Sequence, residues 1–131
     1  MAVEVELFYK GRDIPANVAQ NVTVRGQRGL ELVPGTTKRV VQEAGAGSVR
    51  FIGVAREDKT SPASGPLERV DVVRGKPCRV ISSGSGSSGD PLITAAGGTF
   101  AAAGATPDAR TLVGKALQNF TTGIEIEALI Y

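Results

Sequence analysis

The sequence predicts an all-β fold, a small barrel or sandwich of short strands joined by Gly- and Pro-rich turns. Three observations carry that prediction. Apolar and polar residues alternate with a period of two in many short runs, which is the pattern of a half-buried strand. The runs are punctuated by 17 Gly and 7 Pro, residues that turn a chain rather than pack it. Aromatic residues make up only 5% of the chain and Trp is absent, which leaves much of the chain to turns. At 131 residues the chain fits a single domain, long enough to bury about two-thirds of its unfolded surface.

In chain order, Val3, Val5 and Leu7 alternate with Glu4 and Glu6, which reads as a strand and as neither a signal peptide nor a membrane anchor. Residues 1–28 are expected to form an N-terminal arm or edge strand that grips a neighbouring subunit, or else the ordinary first strand of the barrel. Val3, Val5, Leu7, Phe8 and Tyr9 are the residues expected to make such contacts with a partner. Further strands are predicted at Val22–Val24, Leu30–Leu32, Lys38–Val41, Val49–Val54, Arg69–Val73, Arg79–Ile81 and Ile124–Ile130. Turns at Pro34-Gly35, Gly45-Ala46-Gly47, Ser61 to Pro66 and Gly97-Gly98 separate them. The last run holds the C-terminus in a sheet.

The stretch from Thr106 to Phe120 admits two readings. Thr106-Pro107-Asp108 is a good helix start, and Leu112, Val113, Ala116, Leu117 and Phe120 then share one face. Gly114 in the middle weakens such a helix by about 1 kcal/mol relative to Ala. The likeness of Leu112-Val113-Gly114-Lys115-Ala116 to Phe51-Ile52-Gly53-Val54-Ala55 favours a strand, and a strand is predicted.

That likeness belongs to a weak internal repeat. Leu32-Val33 is echoed by Leu92-Ile93 and Gly35 by Gly97, and Glu68–Val73 and Ile124–Ala128 end the two parts alike. The expected organisation is an arm (1–28) followed by one β-domain (29–131). Its halves, 29–81 and 90–131, are joined by the Gly/Ser-rich loop 82–89. Two such units pair into a closed β-structure because either alone is marginal.

Composition narrows the chemistry. The chain has no His and one Cys, Cys78. A Ser-His-Asp triad, an imidazole base, an internal disulfide and a cysteine zinc cluster are all excluded. Gly84-Ser85-Gly86-Ser87-Ser88-Gly89 spells a dinucleotide-binding pattern. A helix must follow that loop to hold a pyrophosphate, and Asp90-Pro91 with Gly97-Gly98 leaves no room for one. Glu57 and Asp58 are adjacent, so on an extended chain their carboxylates point apart, and Arg56–Lys59 reads as a solvated loop. Cys78 has cations nearby but no base, which suits a buried thiol. The expectation is that the protein is not an enzyme and carries no cofactor and no metal. A net charge of +2 with dispersed charges shows no basic tail for nucleic acid.

Taken in order, Gly89-Asp90-Pro91-Leu92-Ile93, the turn at Gly97-Gly98, the small residues Ala101 to Ala105, Val113-Gly114-Lys115-Ala116-Leu117 and Gly123-Ile124-Glu125-Ile126 resemble the capsid decoration (cement) proteins of tailed bacteriophages. Phe51 to Asp58 resembles the family's other recurring segment, and the resemblance covers about residues 29–131. It implies a structural virion protein, a homotrimer on the capsid outer surface, assembled in the host cytoplasm. Its partners would be the major capsid protein and itself, with no direct nucleic acid and no membrane. A rigid β-core with exposed strand edges suits that work and needs no catalytic group. Two other readings stand beside it: a head-completion or tail ring component, and a small ligand-binding barrel built on Glu57, Asp58 or the Ser-rich loop.

Overall fold

The computed structural model describes residues 13–131, so Val3, Val5, Leu7, Phe8 and Tyr9 lie outside the described residues. Among the described residues, all regular structure apart from two single turns of 3-10 helix is β. The first half contains β1 (Ile14–Val18), β2 (Thr23–Val24), β3 (Gly29–Leu32), β4 (Val40–Glu43), β5 (Phe51–Ala55), β6 (Lys59–Thr60) and β7 (Arg69–Val73). The second contains β8 (Pro77–Ile81), β9 (Pro91–Thr94), β10 (Phe100–Ala102), β11 (Leu112–Ala116) and β12 (Glu125–Ile130). The alternation read in the sequence is visible in the burial. Val70 and Val72 point inward from β7 while Arg69 and Asp71 face solvent, and Ile126 and Ala128 do the same between Glu125 and Glu127.

Strands β1-β4-β3-β5-β7 close into a barrel, and the second sheet runs β10-β9-β11-β12-β8. A parallel bridge between Ser82 and Phe100 joins the two edges of the second sheet, so it too curls into a barrel. The two barrels have one topology and one register. Leu30 lies opposite Glu43 and Leu32 opposite Val41 in the first, as Leu92 lies opposite Ala102 and Thr94 opposite Phe100 in the second. Ile14 pairs with Val72 and Asn17 with Arg69, as Cys78 pairs with Ala128 and Ile81 with Glu125. The parallel closure repeats as well, Val18 beside Val41 and Ser82 beside Phe100. Paired hydrogen bonds outside the strands agree: Ala55 N donates to Arg28 O and Ala116 N to Asp90 O, each at 2.9 Å.

The repeat includes an irregularity. On β5 the pairing with β3 skips Ile52, and on β11 the pairing with β9 skips Val113. Each is a bulge, which bends a strand and helps a short sheet close. The residue after each bulge is glycine for a steric reason. A Cβ on Gly53 would lie 2.5 Å from Val72 Cγ1 and 2.6 Å from Val73 O, and one on Gly114 would collide with Leu129 O.

Each interior is a small apolar cluster. The first contains Ala16, Val18, Leu30, Val41, Ile52, Ala55, Val70 and Val72. At the matching positions the second has Val80, Ser82, Leu92, Phe100, Val113, Ala116, Ile126 and Ala128. A short ribbon at the end where β1 and β5 finish adds Val24, from the β2–β6 pair. At the same end of the second barrel the Gly86–Phe120 bridge adds the Phe120 ring.

Residues 13–28, the described part of the expected arm, supply β1 and β2, and β1 is paired on both sides, as in the alternative reading of an ordinary barrel strand. Ile14-Pro15-Ala16-Asn17-Val18 holds Pro, Ala and Asn, poor strand formers whose place is set by their neighbours. The second unit begins at β8, after the link Arg74-Gly75-Lys76, and not at loop 82–89. Thr106-Pro107-Asp108 does start a helical turn, with the Asp108 carboxylate accepting from Arg110 N, but the turn ends at Thr111 and β11 follows.

Candidate interaction surfaces

The residues singled out for chemistry are spread over the surface and tied into local structure. Glu57 lies 3.6 Å from Lys59 Nζ. Asp58 accepts from Gly26 N at 2.7 Å and fastens its loop to the first barrel. Asp90 accepts from Ser87 N at 2.9 Å, and the Arg110 hydrogen bond holds the exposed Asp108 carboxyl below its usual range. Among the described residues, no three His, Cys, Asp or Glu side chains are grouped to hold a metal ion.

The Gly/Ser-rich loop is not a free linker. Gly86 and Phe120 exchange two backbone hydrogen bonds, Ser88 N donates to Asn119 Oδ1 at 2.8 Å, and Gly89 N donates to Ala116 O. Strand β9 follows it directly, so the helix that a nucleotide phosphate needs is replaced by a strand. Cys78 is half-buried, and burial pushes its thiol up to about 11 in spite of Lys76 and Arg56 nearby. A thiol held protonated at neutral pH is a poor nucleophile.

The two barrels are fused through a built joint. The buried ring of Phe100 meets Phe51 edge-to-face with centroids 5.9 Å apart, a favoured aromatic geometry. Both rings press on Gly29, where a Cβ would come within 3.0 Å of Phe100 and 3.2 Å of Phe51. Val54 faces outward from the first barrel and is buried in the core of the second. A polar clasp flanks this contact. Arg25 makes two hydrogen bonds of 2.8 Å to the Glu43 carboxylate, and Arg28 Nη1 donates to Gly97 O at 3.1 Å. Burial would raise the Glu43 carboxyl, but the Arg25 bonds outweigh it and leave it lowered.

The barrel ends at which β1, β4 and β5, or β8, β10 and β11, begin are treated differently in the two barrels. In the second, the chain between β4 and β5 lies against that end. Gly47 N donates to Thr94 O, Ser48 N to Thr94 Oγ1, and Thr94 Oγ1 to Gly45 O. Thr94 is consequently 1% exposed. In the first, the described residues leave the same end as an open apolar mouth of about 320 Å³ lined by Ile14, Leu32, Phe51 and Ile52, with Arg39 and Arg74 at its rim. Leu32, the counterpart of Thr94, is 37% exposed. Sequence reasoning missed this mouth because Leu32 reads as one more inward residue of an alternating strand.

No family model and no curated protein matches this chain. Among solved structures, the fold is similar to the crystal structure of the head fiber gp8.5 N base in bacteriophage phi29. The TM-score is 0.67 at 22% sequence identity, over 91% of this chain and 92% of that one.

Proposed function

We propose that this protein is a structural component of a bacteriophage particle that binds the outer surface of the assembled capsid and staples neighbouring major capsid subunits. The observation that carries the reading is a fold likeness spanning about nine-tenths of both chains to the base of a phage head fiber. The resemblance of residues 29–131 to decoration proteins points the same way, and it brings a homotrimer with it. A rigid double barrel suits this work. Many weak footprints on a repeating lattice add up to stable attachment, because each bound subunit holds the next at high local concentration. Neither nucleic acid nor membrane is a partner in this reading, and no catalytic step is assigned.

The same likeness favours a second reading, in which the chain is the base through which a fiber is held to the head. Copy number separates the two, since a stapling protein occupies every equivalent lattice site. The test is co-sedimentation with intact expanded shells and with isolated capsid monomers, followed by heating of the loaded shells. Binding to shells alone, with raised heat resistance at saturation, is the expected result. Absence of binding, or binding without protection, overturns the stapling role.

A further inference from the structure

At the ends where β1, β4 and β5, or β8, β10 and β11, begin, each barrel is a control for the other. Four cations stand around that end of the first barrel. Lys38 and Arg39 lead into β4, Arg50 precedes β5 and Arg74 follows β7. Arg39 and Arg74 line the mouth itself, and Arg50 O accepts from Leu32 N at 3.0 Å. By strand register the matching positions of the second barrel are Gly97, Gly98, Thr111 and Ile130, none of them charged. The same backbone closes without these charges, so the barrel does not need them to fold. Among the described residues none of the four is in an ion pair. Asp13 is paired with Arg56 and Lys76. Glu31, which has Arg50 nearby, already accepts from Gln42 Nε2 at 2.9 Å and from Gly45 N at 3.2 Å. Like charges gathered around one opening repel one another, and here they surround an exposed leucine.

We propose that the mouth of the first barrel is a docking site for an acidic segment of a partner protein, one that sets an aliphatic or aromatic side chain between carboxylates. The apolar side chain fills the depression formed by Ile14, Leu32, Phe51 and Ile52, and the carboxylates beside it meet Arg39 and Arg74. Charge complementarity sets the sign of the partner, and the apolar floor sets its class. A phosphate backbone would answer the cations but leave Leu32 and Ile14 bare, whereas a peptide brings both kinds of group. Arg39 is held ready for this contact. Its Nη1 donates to Pro15 O at 2.7 Å, which fixes the guanidinium at the rim and leaves its other N–H groups for a carboxylate. The inference goes beyond the proposed function by naming a surface and the chemistry that fits it.

Its test needs no capsid. The full chain is applied to an array of random peptides. The strongest binders are expected to carry Leu, Ile, Phe or Tyr flanked by Asp or Glu, to weaken in high salt, and to bind the Arg39→Glu, Arg74→Glu chain about tenfold less tightly. Leu32→Gln should weaken the same peptides while leaving their salt dependence in place. Lys38→Glu with Arg50→Glu, at two exposed positions, is a second charge reversal, and circular dichroism shows which variants are folded. Absence of acidic-apolar peptides among the strongest binders, or binding that charge reversal leaves unchanged in a folded variant, overturns the proposal. So does tighter binding of single-stranded DNA than of any acidic peptide, which makes the rim a phosphate site. A dimeric mass by light scattering that becomes monomeric in the Arg39→Glu, Arg74→Glu chain also overturns it, because the occupant is then a second copy.

Discussion

The two barrels share strand order, register and bulge, yet almost every matched residue differs. Inside, side-chain volume is traded between positions. Val41 and Val72 in the first barrel correspond to the larger Phe100 and the smaller Ala128 in the second. Close packing constrains the sum of core volumes more tightly than any one side chain. Outside, the residue at each position follows what it faces. Val54 packs into the second core, while Lys115 at the matching place on β11 is exposed. A duplicated backbone thus tolerates wide substitution where neighbours compensate, and none where backbone meets backbone, as at Gly53 and Gly114.

The comparison is broken most directly at its matched core leucines. Leu30 and Leu92 are both fully buried, so Leu30→Ala and Leu92→Ala are each expected to cost about 2–5 kcal/mol. Because the Phe51–Phe100 contact and Val54 fuse the barrels, urea unfolding followed by circular dichroism should stay a single transition in both variants. Two separated transitions would show that the joint does not couple them.

The next effects are steric. Gly53→Ala and Gly114→Ala each drive a methyl into a neighbouring strand, at an expected cost of about 3 kcal/mol apiece. A loss at one site alone would break the equivalence of the bulges. Val54→Lys buries a charge at the joint and is expected to cost about 2 kcal/mol. The reciprocal Lys115→Val, on an exposed face, should change the midpoint by no more than about 0.5 kcal/mol.

The smallest effect concerns acid. Ion pairing lowers the folded-state pKa of Glu43 against its ordinary value of 4.5 and of Asp13 against 3.8. A carboxyl lowered in the folded state stabilises above its unfolded pKa, and that contribution is lost as pH falls through the lowered value. Stability should therefore decline below about pH 4.5. Arg25→Met should flatten the Glu43 part of that decline, and Arg56→Met the Asp13 part. An unchanged pH profile in Arg25→Met would remove the clasp as a source of stability.

Strands of strong alternation were legible from the sequence. Arg69–Val73 and Glu125–Ile130 bury every second residue, as their patterns require. The match of Phe51–Ala55 with Leu112–Ala116 was also legible, because the bulge glycine anchors it. Strand β1 was hidden by Pro15 and Asn17. Strand β10 was hidden by the small residues Ala101 and Ala102, and β9 by the proline that opens its four residues. Leu92 corresponds to Leu30 and not to Leu32, because the turn between β9 and β10 is shorter than that between β3 and β4, and a comparison by spacing slides past it. The open mouth was illegible for a different reason: it arises where strand ends of five elements meet, and no local pattern encodes that.

Cys78 lies in the cleft between the barrels, beside Gln27, Val54, Arg56 and Val73. With its thiol at about 11, only about a thousandth of it is ionised at pH 8, and the folded cleft shields what remains. Alkylation of Cys78 is therefore expected to be slow in the folded protein and to quicken in a variant whose joint is loosened, such as Val54→Lys, so the mass gained per hour reports how firmly the two halves hold.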